Sequence, residues 1–150
     1  MLQFKPAGTK WWNKPLVDFH GRNLPAELAV LQTELQVEEE GVWLNSRGVT
    51  TGVSDLIRTE TEDGEYKYKT LRIEIPEFVS DAIKLAYLAS GLTKGCPDLV
   101  VWNSSTLAIR FTEVKCPHWD KVFQEQIDFM KVAEQHGIQT KVVEWEFVSP

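Results

Sequence analysis

The order of hydrophobic patterns along this chain predicts an α/β protein built on a mixed β-sheet flanked by helices. Three observations carry that reading. Apolar residues recur at helical spacing in three segments, near residues 24–35, 77–90 and 121–136. Shorter apolar runs bounded by turn residues lie between them, and the clearest pair covers about residues 98–115. The resulting order is helix, strands, helix, hairpin, helix, strand, without internal repeats or low-complexity tracts. At 150 residues the chain is one ordinary domain with room for a real core.

The elements follow in sequence order. Residues 1–23 hold Pro6, Gly8, Pro15 and Gly21 around Lys10-Trp11-Trp12-Asn13-Lys14, and read as an irregular N-terminal arm ahead of a domain spanning 24–150. Leu24, Leu28, Leu31 and Leu35 recur at spacings of 4, 3 and 4, which predicts an amphipathic helix from Pro25 to Glu40. Asn23 suits its cap, Pro25 its first turn and Gly41 its stop. Val42-Trp43-Leu44 starts a strand, with a turn at Asn45–Gly48. Residues 50–75 alternate weakly around Asp63-Gly64 and read as a strand pair. After Pro76, a largely buried helix runs from Glu77 to Ser90, with Phe78, Ala82, Leu85 and Ala89 in one stripe and Val79, Ile83 and Ala86 beside it. A third helix spans roughly Lys121 to His136 with Gly137 as its stop, and the last strand is Thr140 to Phe147. Trp43, Trp102 and Trp145 fall on strands and read as core.

Composition narrows the class. A hydrophobic content of 43% and a charged content of 25% suit a soluble globular chain. No apolar run approaches the ~18 residues that cross a bilayer, and the N-terminus lacks a signal-peptide core, so a cytoplasmic protein is expected. Two cysteines match neither a disulfide framework nor a zinc site. The hairpin would bring Cys96 near Cys116, as two small packed thiols or as a redox pair. A net charge of −6 weighs against generic binding of nucleic acid. Some of those acids, however, belong to the site proposed next.

Gly95-Cys96-Pro97-Asp98 is followed by Leu-Val-Val-Trp, a polar turn Asn103–Thr106, and a second apolar run ending in Glu113-Val114-Lys115. A turn near Ser104–Ser105 sets the start of the first strand across from the end of the second. Asp98 then lies close to Glu113 and Lys115, and the last two, two residues apart, share one face of their strand. Two carboxylates and an ammonium at one strand end need a compensating charge. A divalent cation with a preference for oxygen ligands supplies it, and suits hydrolysis of a phosphodiester.

These residues resemble the virus-type replication-repair nuclease (VRR-NUC) family of the PD-(D/E)xK nuclease superfamily. Gly95-x-Pro97-Asp98-Leu99-Val100-Val101-Trp102 is similar to its Gly-x-Pro-Asp-Leu block, and Glu113-Val114-Lys115-x-Pro117 to its Glu-Val-Lys-Gly-Pro block. Gln126 with Phe129-Met130 and Gly137 resembles its glutamine helix. Glu27-x-x-x-Leu31-Gln32 with Val42–Ser46 is similar to its first helix and following strand. Cys116 stands where the family has glycine, and the segment Cys116–Glu125 is one residue longer than the common pattern, which leaves Gln124 as an alternative to Gln126.

The resemblance implies a restriction-endonuclease-like core and a Mg²⁺- or Mn²⁺-dependent deoxyribonuclease. Asp98, Glu113 and the Val114 carbonyl would hold the metal, with Glu27 reaching it directly or through water. Lys115 would hold or polarise the attacking water, and Gln126 would orient the lysine, the water or a phosphate. Glu34, on the same helix face as Glu27, is the alternative fourth ligand. The implied substrate is DNA, branched as in four-way junctions or flaps, and the implied active form a homodimer. A restriction-like or nicking nuclease, or a non-catalytic nucleic-acid-binding domain, are the other readings. His20, His118 and His136 are scattered and carry no motif. The Lys10–Lys14 patch either stacks on unpaired bases or packs its tryptophans against the domain or a partner subunit.

Overall fold

A hairpin does form at residues 98–115, and the rest of the sheet is arranged on either side of it. The computed structural model describes residues 1–44 and 49–148, so the turn expected at Asn45–Gly48 lies outside the described residues. The strands are β1 (Leu2–Trp11), β2 (Lys14–Phe19), β3 (Arg22–Leu24), β4 (Glu40–Trp43), β5 (Thr51–Glu60), β6 (Tyr66–Glu74), β7 (Leu99–Asn103), β8 (Ala108–Lys115) and β9 (Gln139–Phe147). The helices are α1 (Ala26–Glu34), α2 (Glu77–Ser90) and α3 (Gln124–Gln135). One mixed sheet runs in the order β3-β2-β1-β9-β8-β7-β4-β5-β6. The last strand, β9, inserts parallel to both β8 and β1, and the other pairings are antiparallel.

Residues 1–23 correct the sequence reading, because they are strands of this sheet and not an irregular arm. Leu2–Phe4 pair with Trp145–Phe147 of β9, after which β1 turns to β2. The breakers fall where pairing lapses. Pro6 and Gly8 sit at the register shift between Pro6 and Lys10, and Gly21, at φ 86°, is in the β2–β3 turn.

Two cores follow from strand alternation. On one face α1 packs with Leu99, Val101, Val114 and Trp145; on the other, α2 and α3 cover Val42, Val100, Trp102 and Phe111. Trp43, Trp102 and Trp145 are all buried, as expected. Cys116 belongs to the first core and Cys96 packs against the second, so the sheet separates the thiols and both are free. The expected proximity of the pair is therefore corrected.

The helix boundaries shift in a telling way. α1 ends at Glu34 instead of Glu40, with Leu35 already extended, and Pro25 occupies the cap position expected for Asn23. Asn23 instead donates to the Tyr68 hydroxyl at 3.2 Å, and beside it Arg22 Nη2 lies 2.6 Å from Asp55 Oδ1. These contacts join β3 to β5 and β6 from the opposite end of the strand order, so the sheet rolls around α1. That enclosure explains why four consecutive residues, Leu28–Leu31, are fully buried. Gly41, read as a helix stop, lies in β4, where a Cβ would meet Leu31 Cδ1 at 2.8 Å and the Val100 carbonyl at 3.0 Å. α2 has the expected bounds and stops at Gly91, φ 71°. It buries Val79, Ile83 and Ala86 but leaves Leu88 81% exposed, because only the sheet and α3 cover it.

Candidate active site

Asn103 sets the register on which the site depends. Its side-chain Oδ1 accepts the N–H groups of Ser105 (2.9 Å) and Thr106 (3.1 Å), a local turn that pairs Asn103 with Ala108 and Leu99 with Thr112. Asp98, one residue ahead of Leu99, therefore faces Glu113. Its Oδ2 accepts the Val114 N–H at 2.9 Å, which fixes the carboxylate against the end of β8.

Alternation then sorts the neighbours. Glu113 and Lys115 share the face of Phe111, toward α2 and α3, whereas Val114 and Cys116 belong to the α1 face. Lys115 Nζ stands 3.3 Å from Glu113 Oε1, 3.3 Å from Asp120 Oδ1 and 5.4 Å from the centre of the Phe123 ring. Glu113 is 1% exposed, and neither of its carboxylate oxygens accepts a hydrogen bond. The Lys115 contact is one of charge without hydrogen-bond alignment. Burial first, and the Asp98 carboxylate second, push the Glu113 carboxyl up to about 9, with Lys115 opposing. Burial also works against the Lys115 ammonium, but the carboxylates of Glu113 and Asp120 outweigh it and raise its pKa.

A buried carboxylate without donors is the mark of a place shaped for something positive. Two carboxylates beside the main chain of Val114 suit a hard divalent cation that keeps several waters. Among the described residues no group of three His, Cys, Asp or Glu side chains gathers to hold a metal, so Glu27 does not join Asp98 and Glu113 in one cluster. Glu27 is the residue that stays apart. α1 packs on the opposite face from Glu113, and Glu27 Oε1 is paired with Lys14 Nζ at 2.6 Å. Its other oxygen is buried without a partner. Glu27 lines a cavity of about 290 Å³ with Lys14, Val114, Trp119 and Asp120, so it faces the same strand end from the far side. Glu34 is tied up elsewhere, with Lys141 Nζ at 2.6 Å and the Thr112 hydroxyl at 2.8 Å.

The glutamines divide similarly. Gln126 Oε1 accepts the Phe123 N–H at 2.9 Å and so caps the start of α3, while it lines a cavity of about 400 Å³ with Gly95 and Cys96. Gln124 donates to Asp128 at 2.8 Å and is exposed. Neither makes a hydrogen bond to Lys115. The Gly95–Asp98 loop lies directly on the first turn of α3: Gly95 has φ 119°, and a Cβ there would meet the Glu125 carbonyl at 2.6 Å. Tyr87 steadies the same loop by accepting the Cys96 N–H at 3.2 Å. Asp120, which sequence reasoning missed, is the second acid on Lys115. No spacing announces it, since a turn closed by its N–H on the Cys116 carbonyl brings it back. The histidines lie off the site: His118 on Glu146 (3.1 Å), His136 on the Val132 carbonyl (2.9 Å), and His20 against Phe19.

The mixed sheet thus brings an acidic pair and a lysine together at one hairpin end. The VRR-NUC domain model matches residues 74–145, a little under half of the chain. The match contains α2, Asp98, Glu113, Lys115 and α3; β1 to β5, α1 and all of β6 but Glu74 precede it. Among solved structures, the chain is similar to a crystal structure of paFAN1 bound to 2nt 5'flap DNA with gap. The TM-score is 0.38 and the identity 21%, over 47% of this chain and 13% of that one. No curated relative matches. No helix among the described residues is long and apolar enough to cross a membrane.

Proposed function

We propose that this chain is a Mg²⁺- or Mn²⁺-dependent DNA endonuclease that hydrolyses phosphodiester bonds at the end of β8. The observation that carries the reading is Glu113, buried beside Asp98 with both oxygens lacking a donor. Asp98, Glu113 and the Val114 carbonyl are the ligands this reading assigns, with Glu27 acting through water from across its cavity. A bound divalent cation supplies charge to a phosphate under attack and lowers the pKa of a water. Lys115, held by Glu113 and Asp120, points its ammonium at the same place and positions the attacking water or the phosphate. Gln126, as the cap of α3, keeps the Gly95–Asp98 loop in place.

The substrate in this reading is branched DNA. A chain of net charge −6 has little pull on linear duplex, so selection rests on shape. One domain carries one site, and symmetric cutting of a junction needs two at fixed separation, which a two-fold homodimer provides. Since residues 1–23 are built into the sheet, the exposed Leu85 and Leu88 of α2 are the better dimer surface.

The test is cleavage of a four-way junction, a flapped duplex and a linear duplex, with Mg²⁺, with Mn²⁺ and with EDTA. Asp98→Ala, Glu113→Ala and Lys115→Ala should each abolish cutting while the far-ultraviolet circular dichroism stays that of wild type. Three folded variants that cut at the wild-type rate would remove the assignment.

A further inference from the structure

The tip of the β1–β2 hairpin is not used by the site just described. Trp11 packs edge-on against Trp43, with centroids 6.2 Å apart, and Lys14 Nζ lies 5.6 Å over the same ring. Trp12 does neither. It is 84% exposed and holds a left-handed backbone conformation at φ 56°. A non-glycine residue in that conformation is strained, and an indole left in water gives nothing back. β6 closes the opposite side with Thr70 and Arg72, whose guanidinium is anchored on Thr51 by bonds of 3.2 Å and 3.4 Å. Trp11, Trp12, Lys14, Trp43, Thr70 and Arg72 thus line an open groove of about 400 Å³.

The charge of this groove runs against that of the chain. Its lining holds two cations and no carboxylate, in a protein of net charge −6. Lys14 shares its ammonium with Glu27, but an ammonium has further donors to offer. Lys14 also lines the cavity that holds Glu27, Val114 and Asp120, so the groove and that cavity share a wall on the α1 side of the sheet.

We propose that this groove binds an unpaired nucleotide of the DNA, its base stacked on Trp12 and its phosphate held between Lys14 and Arg72. Every base has a π-face, and pairing in a duplex hides it, so the groove selects DNA that carries single-stranded nucleotides. A proline-rich peptide also docks on aromatic grooves, but it does not call for two cations without an acid. The inference rests on the nuclease reading only for what brings DNA to the groove.

The experiment measures fluorescence anisotropy of a short fluorescein-labelled oligothymidine with the full chain in EDTA, where no cleavage is needed. Trp12→Ala and Arg72→Gln should each weaken binding by at least about fivefold, the lower range of one lost stacking contact. Trp12 is exposed, so its variant should melt with wild type. Binding unchanged in both variants overturns the proposal, as does Trp12-dependent binding of a proline-rich peptide by a chain that ignores oligothymidine. The two readings fail separately. Trp12-dependent binding by a chain that cuts no DNA sinks the nuclease alone. Flapped and fully paired DNA cut in an unchanged ratio by Trp12→Ala sinks the groove alone.

Discussion

Replacing Glu113 by Gln should stabilise the cation-free protein, and by more as the pH rises. The side chain keeps its shape and loses its charge. In the wild type, burial and Asp98 lift the Glu113 carboxyl from 4.5 to about 9. The folded state therefore binds a proton that the unfolded state has released. Stability from this group is whole below pH 4.5 and is lost as the pH climbs toward 9. At neutral pH the loss covers two and a half pH units, about 3 kcal/mol as an upper bound, because water entry and Lys115 relieve part of it. Gln does not titrate, and its amide has a donor to offer Asp98. Urea unfolding in EDTA at pH 5, 7 and 8.5 reads the difference as a change in midpoint at constant m. The gain should be near zero at pH 5 and largest at pH 8.5. A variant less stable than wild type at pH 8.5, or a gain equal at all three pH values, refutes the reasoning. Mg²⁺ should then raise the wild-type midpoint more than that of the variant, by linkage to the state that binds it.

Two further outcomes follow from neighbouring contacts. Glu34→Gln breaks a buried network with Lys141 and Thr112 and should cost about 1–3 kcal/mol while leaving Mg²⁺ affinity unchanged; Glu27→Gln should weaken Mg²⁺ binding and slow cleavage, and calorimetry with Mg²⁺ separates them. Gly95→Ala forces a Cβ against the Glu125 carbonyl at a φ that alanine avoids, so it should destabilise by at least about 1 kcal/mol and lower kcat through a displaced Asp98, read by thermal melting beside the cleavage assay.

What the sequence made legible depended on how local the cause was. The bounds of α2 were readable because Pro76 and the apolar spacing act within it. Only the stripe of Val79, Ile83 and Ala86 is buried, however; the stripe of Phe78, Ala82, Leu85 and Ala89 is left half-exposed or exposed, because the sheet and α3 cover only one side of the helix. The juxtaposition of Asp98, Glu113 and Lys115 was readable because one tight turn at Asn103 fixes it. The β1 and β2 strands were not, since Pro6, Gly8 and Pro15 are breakers unless pairing happens to lapse at those positions, and a distant strand decides that. α1 looked half-exposed by its leucine spacing, but Val30 and Ala29 are buried because the sheet rolls round the helix, a fact of β3 meeting β5. Placing Glu27 was out of reach for the same reason: its register was clear, the face of the sheet it served was not. Asp120 reaches Lys115 through a loop turn that no periodicity encodes.

The position of β9 bears on how the chain acquires its structure. Leu2–Phe4 pair with Trp145–Phe147, and the ladder between β8 and β1 exists only through that strand. The hairpins β5–β6 and β7–β8 close over short stretches of chain and can form early. β1 has no backbone pairing with the rest of the sheet until residues 145–147 have been synthesised. Before then β2 and β3 meet the rest of the sheet only through the side chains of Arg22 and Asn23 on β5 and β6. Loop closure over so long a separation slows folding, which places this domain toward the slow end of α/β proteins of its size. On a ribosome, the leucines of α1 would stay accessible to chaperones until the final strand emerges.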